Sequence, residues 1–180
     1  MNNEENNEIE VKVIEIKKER IIPMIEELGG EKIFDDIIEG SAYDYDDNRL
    51  RKSKKLLRLR KEGETPFLVL KQLVSKDDVK ICKEFELEVE DHETMKLILE
   101  NIGLKPKTKM KKRRTSYRIH GAKFEFDKYL DENSHIPEFM EIEALDKEKL
   151  FSYAEHLGLK KEDLKAWSGG DLIKYYSDKK

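Results

Sequence analysis

The sequence contains one cysteine, Cys82, four prolines and nine glycines in 180 residues, and it has no long apolar run. A single cysteine excludes an intrachain disulfide. With no apolar stretch at the N-terminus there is no signal or membrane segment to read, so a cytoplasmic protein with no membrane association is the simplest expectation. The glycines do not build a phosphate loop: Gly29-Gly30 is followed by no Gly-Lys-Ser/Thr and reads as a helix stop. His92, His120, His135 and His156 lack metal-ligand spacing. No Pro/Gly-rich or low-complexity break divides the chain. The expectation is therefore a flexible leader, residues 1–7, rich in Asn and Glu, and a single domain over 8–180.

What the chain has in quantity is charge. Charged residues make up 42% against 37% hydrophobic, yet the net charge is only −4. That balance argues against a generic polyanion binder. Acidic and basic residues must be separated in space if either is to form a site.

The charges are patterned. Glu8-Ile-Glu10-Val-Lys12 alternates apolar and charged residues with the period of a half-buried strand, and the alternation slips at Ile14 and Ile16, which predicts a bend or bulge. Glu84 to Glu90 alternates with Phe85, Leu87 and Val89; Glu141 and Glu143 alternate with Met140, Ile142 and Ala144. Residues two apart on a strand share a face about 6.6 Å apart, so three strands each present a row of carboxylates. Leu57-Arg58-Leu59-Arg60 alternates likewise, and Gly63 to Pro66 connects it to Phe67-Leu-Val-Leu-Lys71 as a hairpin. Lys109 to Ile119 and Lys123 to Leu130 form two more strands around His120-Gly121, and Lys32 to Asp44 another, ending in the Asp-rich turn before Asn48. In the first of these, Lys112/Arg114 is preferred over Lys111/Arg113 as the inward pair, because it leaves Tyr117 and Ile119 on the apolar side. Helical spacing is found over Glu19 to Leu28, Met95 to Ile102 and Leu150 to Leu157, with a helical, aromatic tail over Leu164 to Tyr176.

Seven or eight strands joined mostly by turns predict a mostly antiparallel sheet in an α+β fold. If the apolar faces Ile9/Val11, Leu57/Leu59, Phe85/Leu87/Val89 and Met140/Ile142/Ala144 pack outward against the helices, the charged faces point at each other. The result is a closed barrel with an ionic interior, suited to a small, highly charged ligand.

The ordered motifs Glu8-x-Glu10-x-Lys12, Arg58-x-Arg60 after Tyr43-Asp44 and Leu50-Arg51-Lys52-Ser53, Lys71, the Glu86/Glu88 strand, Lys112-x-Arg114 with Tyr117, Phe126-Asp127 and Phe139-x-Glu141-x-Glu143 resemble those of the CYTH proteins, the triphosphate tunnel enzymes. In spacing they look most like class IV adenylate cyclases and small thiamine triphosphatases, over roughly Glu8 to Tyr176. The resemblance implies an eight-stranded antiparallel barrel whose tunnel binds a small triphosphate with one or two Mg or Mn ions. It assigns phosphate contacts to Arg58, Arg60, Lys71, Lys112 and Arg114, and metal coordination to Glu8, Glu10, Glu141 and Glu143. Glu86 and Glu88 either join the metal set or orient the basic residues. Lys12 contacts phosphate or balances the carboxylates, and Asp127 assists as a metal or water-orienting group; these two are the catalytic candidates. The resemblance also implies a homodimer in many members. The His-Phe element that some bacterial class IV cyclases carry before the first acidic motif is absent, which separates this chain from those cyclases.

Three functional classes follow from these residues: an enzyme that hydrolyses a triphosphate or cyclises ATP, a non-catalytic polyphosphate or nucleotide-binding module, and a nucleic-acid adaptor using the basic run Lys105 to Arg118, the least favoured. Paired arginines suit desolvated phosphates, and carboxylates supply the hard oxygens that Mg and Mn prefer.

Overall fold

A computed structural model describes residues 7–179. The expected leader falls outside the described residues except for Asn7, which opens the first strand. In chain order the elements are β1 (Asn7–Val13), α1 (Lys18–Glu27), β2 (Glu31–Asp44), α2 (Arg49–Lys52), β3 (Lys55–Glu62), β4 (Thr65–Lys76), β5 (Lys80–Glu88), α3 (His92–Asn101), β6 (Lys105–Ile119), β7 (Ala122–Tyr129), β8 (Phe139–Ala144), α4 (Lys147–His156), a short 3-10 turn, β9 (Leu164–Lys165) and α5 (Gly169–Ser177).

The first eight strands close a fully antiparallel barrel in the order β5-β4-β3-β2-β6-β7-β8-β1, with β1 pairing back onto β5. Closure removes the sheet edges. Alternation then fixes two faces. On the outside, Val11, Phe124, Phe126, Met140 and Ile142 are fully or almost fully buried in one core with Ile21 and Ile25 of α1 and Leu150 and Ala154 of α4. A second cluster packs Leu99 of α3 on Tyr43 and Leu59. A third cluster is not on the outer face: Leu172 and Tyr176 of α5 pack with Ile136 on Tyr129 and Phe139, which pair in register with the inward residues Lys112 and Asp127.

Local signals place these helices. Asp91 and Asp146 cap α3 and α4 by accepting from the amides of Thr94 and Lys149, and Ser168 and Asp171 form a capping box at the start of α5. Gly29, at φ +87, ends α1 in the left-handed conformation that a glycine adopts at no steric cost. Among the described residues no helix is long and apolar enough to cross a membrane.

Of the two alternatives for the slip at Ile14 and Ile16 the chain takes the bend: β1 stops at Val13, and Glu15, at φ 56, turns the chain out of the sheet. Two expectations need correction. The tail does not start as a helix, because Leu164 and Lys165 pair with Val13 and Lys12 as a ninth strand. The outer face of β5 is covered only in part: Phe85 and Leu87 remain 50% and 62% exposed, whereas Val89, just past its end, is buried with Leu99 and Ile81 packs on the first core. Alternation identifies a strand face, but not whether a helix reaches it.

Candidate functional site

The inward positions of the barrel hold an ion-pair lattice. Lys112 and Arg114 on β6 are buried, whereas Lys111 and Arg113 point outward to Glu39 and Asp35 of β2, at 2.9 and 2.8 Å. The strand register is therefore the one that Tyr117 and Ile119 imply. Lys105 likewise pairs with Asp46 at 2.7 Å, so acidic neighbours offset much of the outer basic run.

Five carboxylates converge on one wall. Glu8 and Glu10 of β1, with Glu143 of β8, bring one oxygen each within 4.8 Å of one another, and Glu125 of β7 with Glu141 and Glu143 does the same. The two groups share Glu143. Adjacent strands carry them, because β1 and β8 pair Glu10 with Glu143, and β7 and β8 pair Glu125 with Glu141. Like charges so close need cations. Lys12 contacts Glu141 at 2.8 Å and Glu10 at 3.2 Å; Lys71 contacts Glu8 at 2.5 Å and Glu84 at 2.9 Å.

The basic wall faces them. Arg114 forms a fork on Asp127, Nε to Oδ1 at 2.7 Å and Nη2 to Oδ2 at 2.6 Å, and also pairs with Glu125 and Glu141. Lys112 donates to Asp127 at 2.5 Å. Asp127 is wholly buried with both oxygens engaged by cations. Arg60 reaches Glu62 at 2.6 Å and Glu86 at 2.7 Å. Glu86 and Glu88 lie outside both carboxylate groups: Glu86 holds Arg60, and Glu88 is exposed.

Arg58 differs from the other cations. Among the described residues it forms no ion pair, and its Nε is a buried donor without an acceptor; the Nε of Arg60 is also unsatisfied. Burial, then Arg60 and Arg114, pull the Arg58 guanidinium down to about 10, so it stays charged at neutral pH. Lys112 is lowered by burial and by Arg114. On the acidic wall the groups split. Burial, then Glu125, push Glu143 well above the ordinary carboxylate range, and burial, then Glu10 and Glu84, raise Glu8. Against burial, Arg114 and Lys123 hold Glu125 down to about 2, and Lys12, Lys112 and Arg114 hold Glu141 well below its usual value.

Sequence reasoning missed Glu125, Lys123 and Lys80 as tunnel residues, and it placed Glu84 on the charged face without giving it a site role. Lys123 bridges Glu125 at 3.0 Å and Glu143 at 2.7 Å, and Lys80 contacts Glu10 at 2.7 Å. The signal for the first two was their parity with Asp127; for Lys80 it was parity with Glu84 and Glu86. Cys82 also lies on this inner face, paired with Glu8 across β1, and burial pushes its thiol up. None of the four histidines joins a carboxylate group.

The family model for the CYTH domain matches residues 6–168. The chain belongs to the CYTH family. Among solved structures, the PH1012 protein from Pyrococcus horikoshii OT3 is 26% identical, with a TM-score of 0.75 over 93% of this chain and 98% of that one. A candidate adenylate cyclase from Vibrio parahaemolyticus is 18% identical, with a TM-score of 0.79 over 93% and 97%. HpAC1 from Hippeastrum, a candidate adenylyl cyclase with a dominant triphosphatase activity, is 15% identical, with a TM-score of 0.68 over 94% and 96%. No curated protein matches the chain.

Proposed function

We propose that the protein is a divalent-cation-dependent enzyme acting on a small triphosphate inside the barrel. The observation that carries this is Arg58, a half-buried arginine whose Nε is a buried donor without an acceptor and which has no ion-pair partner among the described residues, placed beside Arg60 and Arg114. A buried donor left without an acceptor is costly, and a phosphate group is the ligand whose geometry a guanidinium fork matches. Membership of the CYTH family supports the reading.

The donor set fits a hard cation. Both carboxylate groups offer oxygen ligands only, as Mg and Mn prefer. Glu8, Glu10, Glu141 and Glu143, with Glu125, would hold the metal; bound there, it supplies Lewis-acid neutralisation of phosphoryl oxygens. Arg58, Arg60, Lys71, Lys112 and Arg114 would grip the phosphate chain. Asp127 would fix the aim of Arg114 and Lys112, since both its oxygens are spent on them. Lys12, between Glu10 and Glu141, would meet the phosphate where the two walls join. Holding charge on preorganised groups in a dry site is the main lever on phosphoryl transfer.

Two reactions use this machinery. Water attacking the terminal phosphorus releases phosphate; a ribose 3′-hydroxyl attacking the α-phosphorus of ATP releases pyrophosphate and cyclic AMP. Purified protein with Mg or Mn, offered tripolyphosphate, thiamine triphosphate and ATP and scored for phosphate, pyrophosphate and cyclic AMP, separates them. Metal-dependent product from at least one substrate is expected. Tight binding without product would instead mark a binding module.

A further inference from the structure

The carboxylates that would take the metal already hold cations. Lys80 Nζ sits 2.7 Å from Glu10, and Lys123 Nζ bridges Glu143 at 2.7 Å and Glu125 at 3.0 Å. Between them these two lysines touch both carboxylate groups, including the shared Glu143. Both come from inward strand positions, Lys80 paired with Glu10 and Lys123 with Glu143 in register. Their side chains are 12% and 37% exposed, and each ammonium head reaches its partners along a flexible four-carbon stem. Neither touches the forked Arg114–Asp127 arrangement that fixes the basic wall.

We infer that Lys80 and Lys123 are resident counter-cations that close the metal site of the empty protein and are drawn off it by a bound polyanion. This rests on the proposed metal and triphosphate reading. The physics is an exchange of partners. A divalent ion entering alone must displace Lys80 and Lys123 while Lys12 and Lys71 still hold Glu10, Glu141 and Glu8, and an anion entering alone must compete with carboxylates for the basic groups. When both enter, the metal takes the carboxylates and the displaced lysines turn to the anion, so each ligand removes the cost the other faces. Coupling of this kind is reciprocal and commonly amounts to about 5- to 150-fold in affinity. Lys80 and Lys123 are thus positioning residues that set metal affinity and tie it to anion binding.

The test is Mn2+ binding, read by the electron paramagnetic resonance signal of free Mn2+, without turnover. In the unaltered protein, sodium sulfate, a weakly chelating stand-in for a phosphoryl group, should tighten Mn2+ binding several-fold relative to sodium chloride of equal ionic strength. Lys80→Met and Lys123→Met should each bind Mn2+ more tightly than the unaltered protein in chloride, with a smaller response to sulfate. Lys80→Arg, which keeps the charge, should resemble the unaltered protein. Equal or weaker Mn2+ binding in both methionine variants, or no sulfate effect in the unaltered protein, overturns the inference while leaving the metal site standing. The sulfate arm needs no variant to fold. Absence of Mn2+ binding under every condition overturns this inference and the proposed function together.

Discussion

At the scale of single residues, the site depends on groups that conflict with their surroundings. Glu143 is the clearest: burial, Glu125 and Glu8 all favour its protonated form. Its folded-state pKa lies above the unfolded value, so its contribution to stability is fully present below the ordinary glutamate pKa and is lost as pH rises through the raised one. Glu143→Gln should therefore raise the melting temperature of the metal-free protein at neutral pH, and that gain should shrink on acidification. A calorimetric series over pH checks this; an unchanged or lowered melting temperature at neutral pH would contradict it. On the proposed function, the same upward shift should make metal binding release more protons than an ordinary carboxylate would, visible as a buffer-dependent heat of Mn2+ binding that Glu143→Gln reduces. Gly40 is a second such residue. It pairs with Arg60 across β2 and β3, and a Cβ there would come within 2.4 Å of the Leu59 carbonyl and 2.6 Å of the Arg60 Cα. Gly40→Ala should cost about 1–3 kcal/mol, as overpacking does, measured by denaturant unfolding.

At the scale of elements, alternation placed most of the strands, because a period of two is visible without partners. Lys112 and Arg114 were assigned inward from Tyr117 and Ile119 alone, and both are buried. What alternation could not show was coverage. Leu59 and Leu87 sit on equivalent outward positions, yet Leu59 is fully buried under α3 and Leu87 is 62% exposed. Leu59→Ala should cost about 2–5 kcal/mol, whereas Leu87→Ala should stay within about 0.5 kcal/mol; matched unfolding curves decide. Lys123 and Glu125 escaped notice for a related reason. They share the parity of Asp127, which marks their face, but only the pairing of β7 with β8 shows that they meet Glu141 and Glu143. Lys80 was missed because the strand was expected to begin at Glu84, while β5 starts four residues earlier.

At the scale of the whole molecule, the barrel is largely inverted: most outward apolar side chains pack under helices, and ion pairs line much of the interior, with Val69, Tyr129 and Phe139 as inward apolar positions. Such a lattice is a poor source of stability, since desolvation offsets much of each pair's attraction. It suits an interior whose cations and carboxylates are to be shared out between an anion and a metal. On the proposed function, Arg58, which has no ion-pair partner among the described residues and a buried Nε without an acceptor, would meet the anion. The most direct measurement is metal-dependent phosphate release from tripolyphosphate, thiamine triphosphate and ATP, by the unaltered protein and by Arg58→Met, with folding checked by circular dichroism. Release that requires Mg or Mn in the unaltered protein and falls about 100-fold or more in Arg58→Met, the scale of losing one preorganised electrostatic contact, is the predicted result. Equal rates in a folded Arg58→Met, or no metal-dependent product of any kind from the three substrates, would contradict the account.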